Sequence, residues 1–220
     1  MARNPRVPGG DASKPVHEAV HSSTPQRKRE PLSQERIAKT SLELIDEIGL
    51  EDFSTRRLGA ALGCEAMAIY NHFPSKEALL DAVVDRLFRL VTIPGREAGD
   101  WKGRVRGFAR SYRALAHAHP KAFPLLATRR IRTRSRAVVD QAIGALLEEG
   151  FDPGTAAELF RVVANYINGA ALDELSGTFP PAEDDFPNIR RVQNYLGPEH
   201  YEVIFERGLT LLLAGFQPKS

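Results

Sequence analysis

Positions 54–80 read Ser-Thr-Arg-Arg-Leu-Gly-Ala-Ala-Leu-Gly-Cys-Glu-Ala-Met-Ala-Ile-Tyr-Asn-His-Phe-Pro-Ser-Lys-Glu-Ala-Leu-Leu, and the punctuation of this stretch leaves few folds open. Ser54 is a good N-cap, and Leu58, Ala61 and Leu62 give the helix it starts an apolar face. Gly63 ends that helix. A second short helix, 66–72, follows within three residues and turns Ile69 inward, with Phe73 just beyond. Pro74 then breaks the chain, and Ser75 caps the next helix. Two short helices joined so tightly, behind a third amphipathic one, predict a helix-turn-helix. Its second helix is the element such a motif presents to the major groove of DNA.

The third amphipathic helix lies upstream, over 33–48. Ser33 can cap it, although Arg36 stands where a Glu or Gln would complete a capping box. Ile37, Ser41, Leu44, Ile45 and Ile48 form one stripe at helical spacing, and Gly49 follows as a residue able to take positive φ. Leu50 and Phe53 cover the end of that core. After Ser75, a helix over 76–91 carries Leu79, Leu80, Val83, Leu87 and Leu90. A linker at 93–100 contains Pro94, Gly95 and Gly99. Further helices are predicted over 101–117, 120–126, 135–149, 155–175 and 199–216, with a proline-bearing acidic loop at 178–197. No alternating strand pattern of convincing length and no internal repeat is visible, so the fold class is all-α.

A chain of 220 residues can build one large domain or two small ones. Lys and Arg number 30 against 28 Asp and Glu, so contact with nucleic acid must come from a local patch. The single cysteine, Cys64, excludes an internal disulfide framework and fits a reducing cytoplasm. Residues 1–31 hold five prolines among polar residues and end in Arg27-Lys28-Arg29 and a short polar stretch. They read as a flexible basic tail without the apolar core of a secretory signal. No apolar run is long enough for a bilayer, so no membrane partner and a cytoplasmic location are expected. There is no Gly-rich phosphate loop, metal-ligand cluster or recognisable nucleophile motif, and no enzyme is predicted.

Residues 37–80 resemble the N-terminal domain of TetR-family transcriptional regulators. The resemblance rests on a dispersed signature whose centre is Leu62-Gly63, then Ile69-Tyr70, His72-Phe73 and Lys76. Around it stand Ile37, Leu42, Leu44, Glu47, Gly49, Phe53, Ser54, Leu58, Ala61, Ala78 and Leu79. More weakly, Asp100-Trp101, His119-Pro120 and Phe205 with Gly208-Leu209 resemble the C-terminal domain of the tetracycline-repressor branch. The resemblance implies an N-terminal three-helix DNA-binding head at 32–80 and a larger helical ligand-binding and dimerisation domain at 81–217. It implies a homodimer on double-stranded operator DNA, a repressor released by a small hydrophobic effector, with no cofactor. The alternative is an effector-independent or activating DNA-binding regulator. It also implies phosphate contacts by Thr55, Arg56, Tyr70, His72 and Lys76.

At the tip of the reading helix, Ala66 and Met67 cannot make directional hydrogen bonds but can meet a thymine methyl. Glu65 can accept from cytosine N4 or cap the helix. The Asn71 amide suits adenine or a phosphate. Arg57 reads as solvated, and Cys64 as a small buried hydrophobe rather than a redox switch. Arg27, Lys28 and Arg29 either reach the duplex or form a solvated linker.

In the larger half, Phe108, Phe123 and Leu126 are candidate walls of a ligand pocket, with Tyr112, Asn165 and Asn168 as polar anchors. Leu159, Val162, Val163, Tyr166 and Ala170 form one broad apolar face, and Val203, Leu209, Leu212, Leu213 and Phe216 another. These exceed the needs of one small core. Ordinary intrachain core must account for some of these residues, and the family resemblance assigns Leu159, Val162, Val163, Tyr166, Leu209, Leu212, Leu213 and Phe216 to a four-helix dimer interface. His117 and His119 do not share a helical face and have no evident acidic partner, so no metal is predicted. Arg129, Arg130, Arg132, Arg134 and Arg136 read by default as a solvated loop, with attraction of an anionic effector or phosphate as the lesser reading.

Overall fold

The computed structural model describes residues 31–129, 136–177 and 186–219. The basic tail with Arg27-Lys28-Arg29, residues 130–135 of the arginine run, and 178–185 of the acidic loop lie outside the described residues. The described residues are helical and contain no strand. The head comprises α1 (Gln34–Ile48), α2 (Thr55–Leu62), α3 (Ala66–Tyr70) and α4 (Lys76–Phe88). The body follows as α5 (Trp101–Ala118), α6 (Phe123–Thr128), α7 (Arg136–Glu148), α8 (Pro153–Ser176), α9 (Pro187–Val192) and α10 (Tyr201–Ala214).

Local chemistry sets the helix starts. The Ser33, Ser54 and Ser75 hydroxyls accept the N–H groups of Arg36, Arg57 and Ala78, satisfying donors that a helix start leaves unpaired. Asp100 caps α5 through the Gly103 N–H at 2.8 Å, and Asp152 caps α8. Gly63 closes α2 at φ 70°, in the left-handed region. In α2 the inward face is Leu58, Gly59 and Leu62, while Ala61, expected inward, is exposed. Gly59 takes the inward place because α3 packs against it: a Cβ there would lie 2.7 Å from the Cys64 carbonyl oxygen.

One continuous core joins head and body. Ile37, Ile45, Leu58, Leu79 and Leu87 are fully buried in the head, and Phe123, Leu159, Ile167 and Leu209 in the body. Four helices of the body, α5, α6, α7 and α10, pack on the long α8, and α6 also meets α4. Trp101 packs edge-on against Phe151, with centroids 4.9 Å apart. Three sequence expectations change. Helix α4 ends at Phe88, so Leu90 leaves the stripe and is 47% exposed. Helix α6 begins at Phe123 rather than Pro120. The loop expected over 178–197 contains α9, started by Pro187, whose fixed φ and missing N–H suit a first helical position.

Candidate nucleic-acid interface and cavity

Helices α2 and α3 bring two of the expected DNA contacts, Thr55 and Tyr70, together. Tyr70 Oη lies 3.5 Å from Thr55 Oγ1, so the end of α3 meets the start of α2. Arg56, Glu65, Met67, Tyr70 and Asn71 are exposed, while Thr55, Ala66, His72 and Lys76 are half-buried. Met67 is 71% exposed, so its apolar side chain stands at the surface of α3. Glu65 makes no side-chain capping bond, which leaves its carboxylate available as an acceptor. Ser54 does the capping of α2, so neither Thr55 nor Arg56 is held by that task. Arg57, read as solvated, forms a loose exposed pair with Asp52 at 3.8 Å. Gln34 Nε2 donates to the His72 carbonyl at 2.9 Å and fixes the end of this unit to α1.

Lys76 has a second employment that its position in the motif does not reveal. Its Nζ donates to the Phe53 carbonyl at 2.9 Å and lies 5.6 Å from the centre of the Phe53 ring. The ammonium therefore clamps the α1–α2 connection to the start of α4, and retains further donors. Cys64 is half-buried, with a free thiol.

Between α5, α6 and α8 lies a cavity of about 250 Å³. Five of the six expected pocket residues line it: Phe108, Tyr112, Leu126, Asn165 and Asn168. Phe123 does not. It is fully buried behind the wall and meets Tyr112 edge-on at 5.9 Å. Tyr112 Oη donates to Asn168 Oδ1 at 2.9 Å, and burial raises the phenol's pKa well above its ordinary value, so the phenol stays neutral. Phe160 and Arg161 also line the cavity and were not singled out from sequence. Their spacing from Ala164, Asn165 and Asn168 marks one face of α8, which was the available signal.

Arg129 lines the same cavity and bonds outward to the head: its Nη1 donates to Asp81 Oδ1 on α4 at 2.8 Å. A second link joins body to head at the α5–α6 turn. His119 Nδ1 lies 2.6 Å from Asp46 Oδ2, and Lys121 Nζ donates to the Glu47 carbonyl. His119 thus has an acidic partner that sequence did not reveal, and His117 has one in Glu174 at 3.0 Å. These pairs are remote in sequence, which is why spacing could not show them. Among the described residues no group of three or more His, Cys, Asp or Glu side chains could hold a metal ion.

The eight residues expected at a subunit interface divide into two groups by burial. Leu159, Val163, Leu209 and Leu213 are buried within the chain at 0–2% exposure, where α8 packs on α5 and α10. They are core. Val162, Tyr166, Leu212 and Phe216 are half-buried. The large exposed apolar side chains on α10 are Val203, Ile204 and Leu211. No helix among the described residues is long and apolar enough to cross a membrane.

Comparison with known proteins matches this geometry. Residues 37–83 match the family model for bacterial regulatory proteins of the tetR family, and 93–219 match the tetracyclin repressor-like C-terminal domain. The chain is 27% identical over 202 residues to tetracycline repressor protein class C of Escherichia coli, covering 84% of this chain and 91% of that relative. It is 30% identical over 196 residues to the class D repressor of Escherichia coli, covering 84% and 89%. Among solved structures, the Streptomyces coelicolor TetR family protein ActR in complex with (S)-DNPA superposes with a TM-score of 0.72 at 26% identity, covering 84% of this chain and 97% of ActR. ActR is also known in complex with actinorhodin.

Proposed function

Because the chain belongs to the TetR family of bacterial regulatory proteins, whose members are DNA-binding transcriptional repressors and often respond to ligands, we propose that it is a homodimeric repressor that a small hydrophobic effector releases from its operator. The observation that carries the reading is Arg129, which lines the body cavity and ion-pairs with Asp81 on the last helix of the head. Occupancy of the cavity has through it a direct physical route to the reading helices. In this reading Arg56, Tyr70, His72 and the spare donors of Lys76 meet phosphates, with Thr55 beside them. Ala66, Met67, Glu65 and Asn71 face base edges. The exposed row Val203, Ile204 and Leu211, flanked by half-buried Val162, Tyr166, Leu212 and Phe216, supports a second copy docking on α8 and α10. A two-fold dimer would read half-sites about 34–36 Å apart or somewhat more, in the cytoplasm.

A mobility-shift assay with the DNA upstream of the protein's own gene tests the regulator, and a melting-temperature screen over hydrophobic compounds of every charge tests the effector. A specific shift over competitor DNA, reversed by a stabilising compound, is expected. Absence of any specific shift refutes the regulator. Light scattering on Leu211→Glu tests the dimer: a variant that stays dimeric removes α10 from the interface.

A further inference from the structure

The cavity between α5, α6 and α8 has a chemical character that narrows its ligand. Its lining holds two arginines, Arg129 and Arg161, and no acidic residue. Arg161 is exposed, so it stands at the mouth, and it has no ion-pair partner among the described residues. Asn168 spends its carbonyl oxygen on Tyr112 and keeps its amide N–H donors, while Asn165 in the same lining offers an amide donor and an acceptor. The Tyr112 hydroxyl has donated its proton to Asn168 and is not free to donate again. The polar capacity left over in this lining is therefore mostly donor capacity, and two of its members are cationic. The complement of such a set is an acceptor-rich anion. The remaining wall is aromatic. Phe108 and Tyr112 lie at 28° with centroids 6.1 Å apart, and Phe160 lines the same cavity from α8. Flat side chains so arranged favour a flat hydrophobic guest.

We propose that the effector is a small planar aromatic acid, its rings against Phe108, Tyr112 and Phe160 and its carboxylate held by Arg161, with Arg129 within the same lining. This rests on the effector reading above and names the ligand class. A cation would meet the like charge of Arg161, with Arg129 already paired to Asp81, and a neutral hydrocarbon would strand the donors. A carboxylate that also engages Arg129 competes with Asp81 for it. The acid group, rather than mere filling of the cavity, then loosens the link between α6 and α4.

The test uses 2-naphthoate and its neutral isostere 2-naphthamide as probes on the full chain. Titration calorimetry should give a Kd at least about ten-fold lower for the acid, the ratio a charge-assisted hydrogen bond produces. In Arg161→Gln that advantage should fall to about three-fold or less, with the unliganded melting temperature checking the fold. At equal occupancy, 2-naphthoate should release the operator and 2-naphthamide should not. Equal affinities, binding of neither probe, or an undiminished advantage in Arg161→Gln overturns the proposal. Equal release by both probes overturns the part given to Arg129. The effector reading fails separately, if no compound of any charge in the wider screen stabilises the protein and releases DNA.

Discussion

Replacing Glu174 by Ala should damage this protein far more than replacing Glu202, although both carboxylates touch the same arginine. Arg113 on α5 is 8% exposed and donates from Nε to both Glu174 oxygens, at 2.9 and 3.1 Å. Its Nη1 donates to Glu202, and its guanidinium lies 4.5 Å from the centre of the Phe205 ring. The Glu174 side chain is 5% exposed and that of Glu202 65%. Removing one partner of a buried pair strands the other charge away from water, at a cost of about 3–5 kcal/mol when no counter-ion remains. Glu202 still serves one edge of Arg113, so the loss for Glu174→Ala should sit near the lower end, about 3 kcal/mol. For a chain of this size that lowers Tm by about 6–12 °C. Glu202→Ala removes a largely solvated partner and should cost less than about 1 kcal/mol. Thermal and urea unfolding at equal protomer concentration measure both. The double replacement Arg113→Met with Glu174→Leu should be milder than Glu174→Ala alone, because no charge is left stranded. Equal losses for Glu174→Ala and Glu202→Ala would refute the argument that burial decides the energy here.

Four further outcomes are expected. Gly59→Ala sets a Cβ 2.7 Å from a backbone oxygen that no rotamer change can move, and should destabilise the head by about 1–3 kcal/mol by circular dichroism; wild-type stability would mean α2 and α3 pack more loosely. Tyr112→Phe leaves Asn168 Oδ1 without its donor and should cost about 1–2 kcal/mol in urea unfolding, while a negligible cost would mean water replaces the hydroxyl. Arg56→Ala should weaken binding across operator variants and lower the salt slope by about one, whereas Met67→Ala should change base preference; identical behaviour of the two would misplace the reading helix. The hydrogen bond from Arg110 holds the Glu206 carboxyl below its ordinary pKa. Its stabilisation is thus present above the ordinary glutamate range and lost as pH falls through the lowered value. Glu206→Gln should flatten that acid limb of stability against pH, and an unchanged limb would show the pair to be silent.

The head was legible in sequence because its information is local. Ser54, Gly63 and Ser75 act within one helical turn of themselves, and the caps they predict are the caps found. The stripe of Ile37 and Ile45 needs only a period to be seen, and both are fully buried. The cavity was half legible. Tyr112 and Asn168 stood out as polar groups on apolar helices, but they are 56 residues apart and only packing makes them partners. Arg161 carried no such contrast, since a charged residue on a long helix is ordinary until a cavity lies beside it.

Sequence alone determined the helical class and the places of the short helices α2 and α3, since capping, glycine punctuation and apolar period are properties of neighbours in the chain. Tertiary structure alone decided which apolar face is core and which is surface. Leu209 and Leu213 share a helix with Leu211, yet the first two are fully buried and Leu211 is 70% exposed. Period shows that a face is apolar, while burial depends on which helix arrives to cover it. It likewise decided that Lys76 holds Phe53, that His119 meets Asp46, and that Arg129 reaches Asp81 from the wall of a cavity. Those bonds join residues far apart in the chain, and their energy exists only once the packing of α8 and its neighbours has fixed the distance.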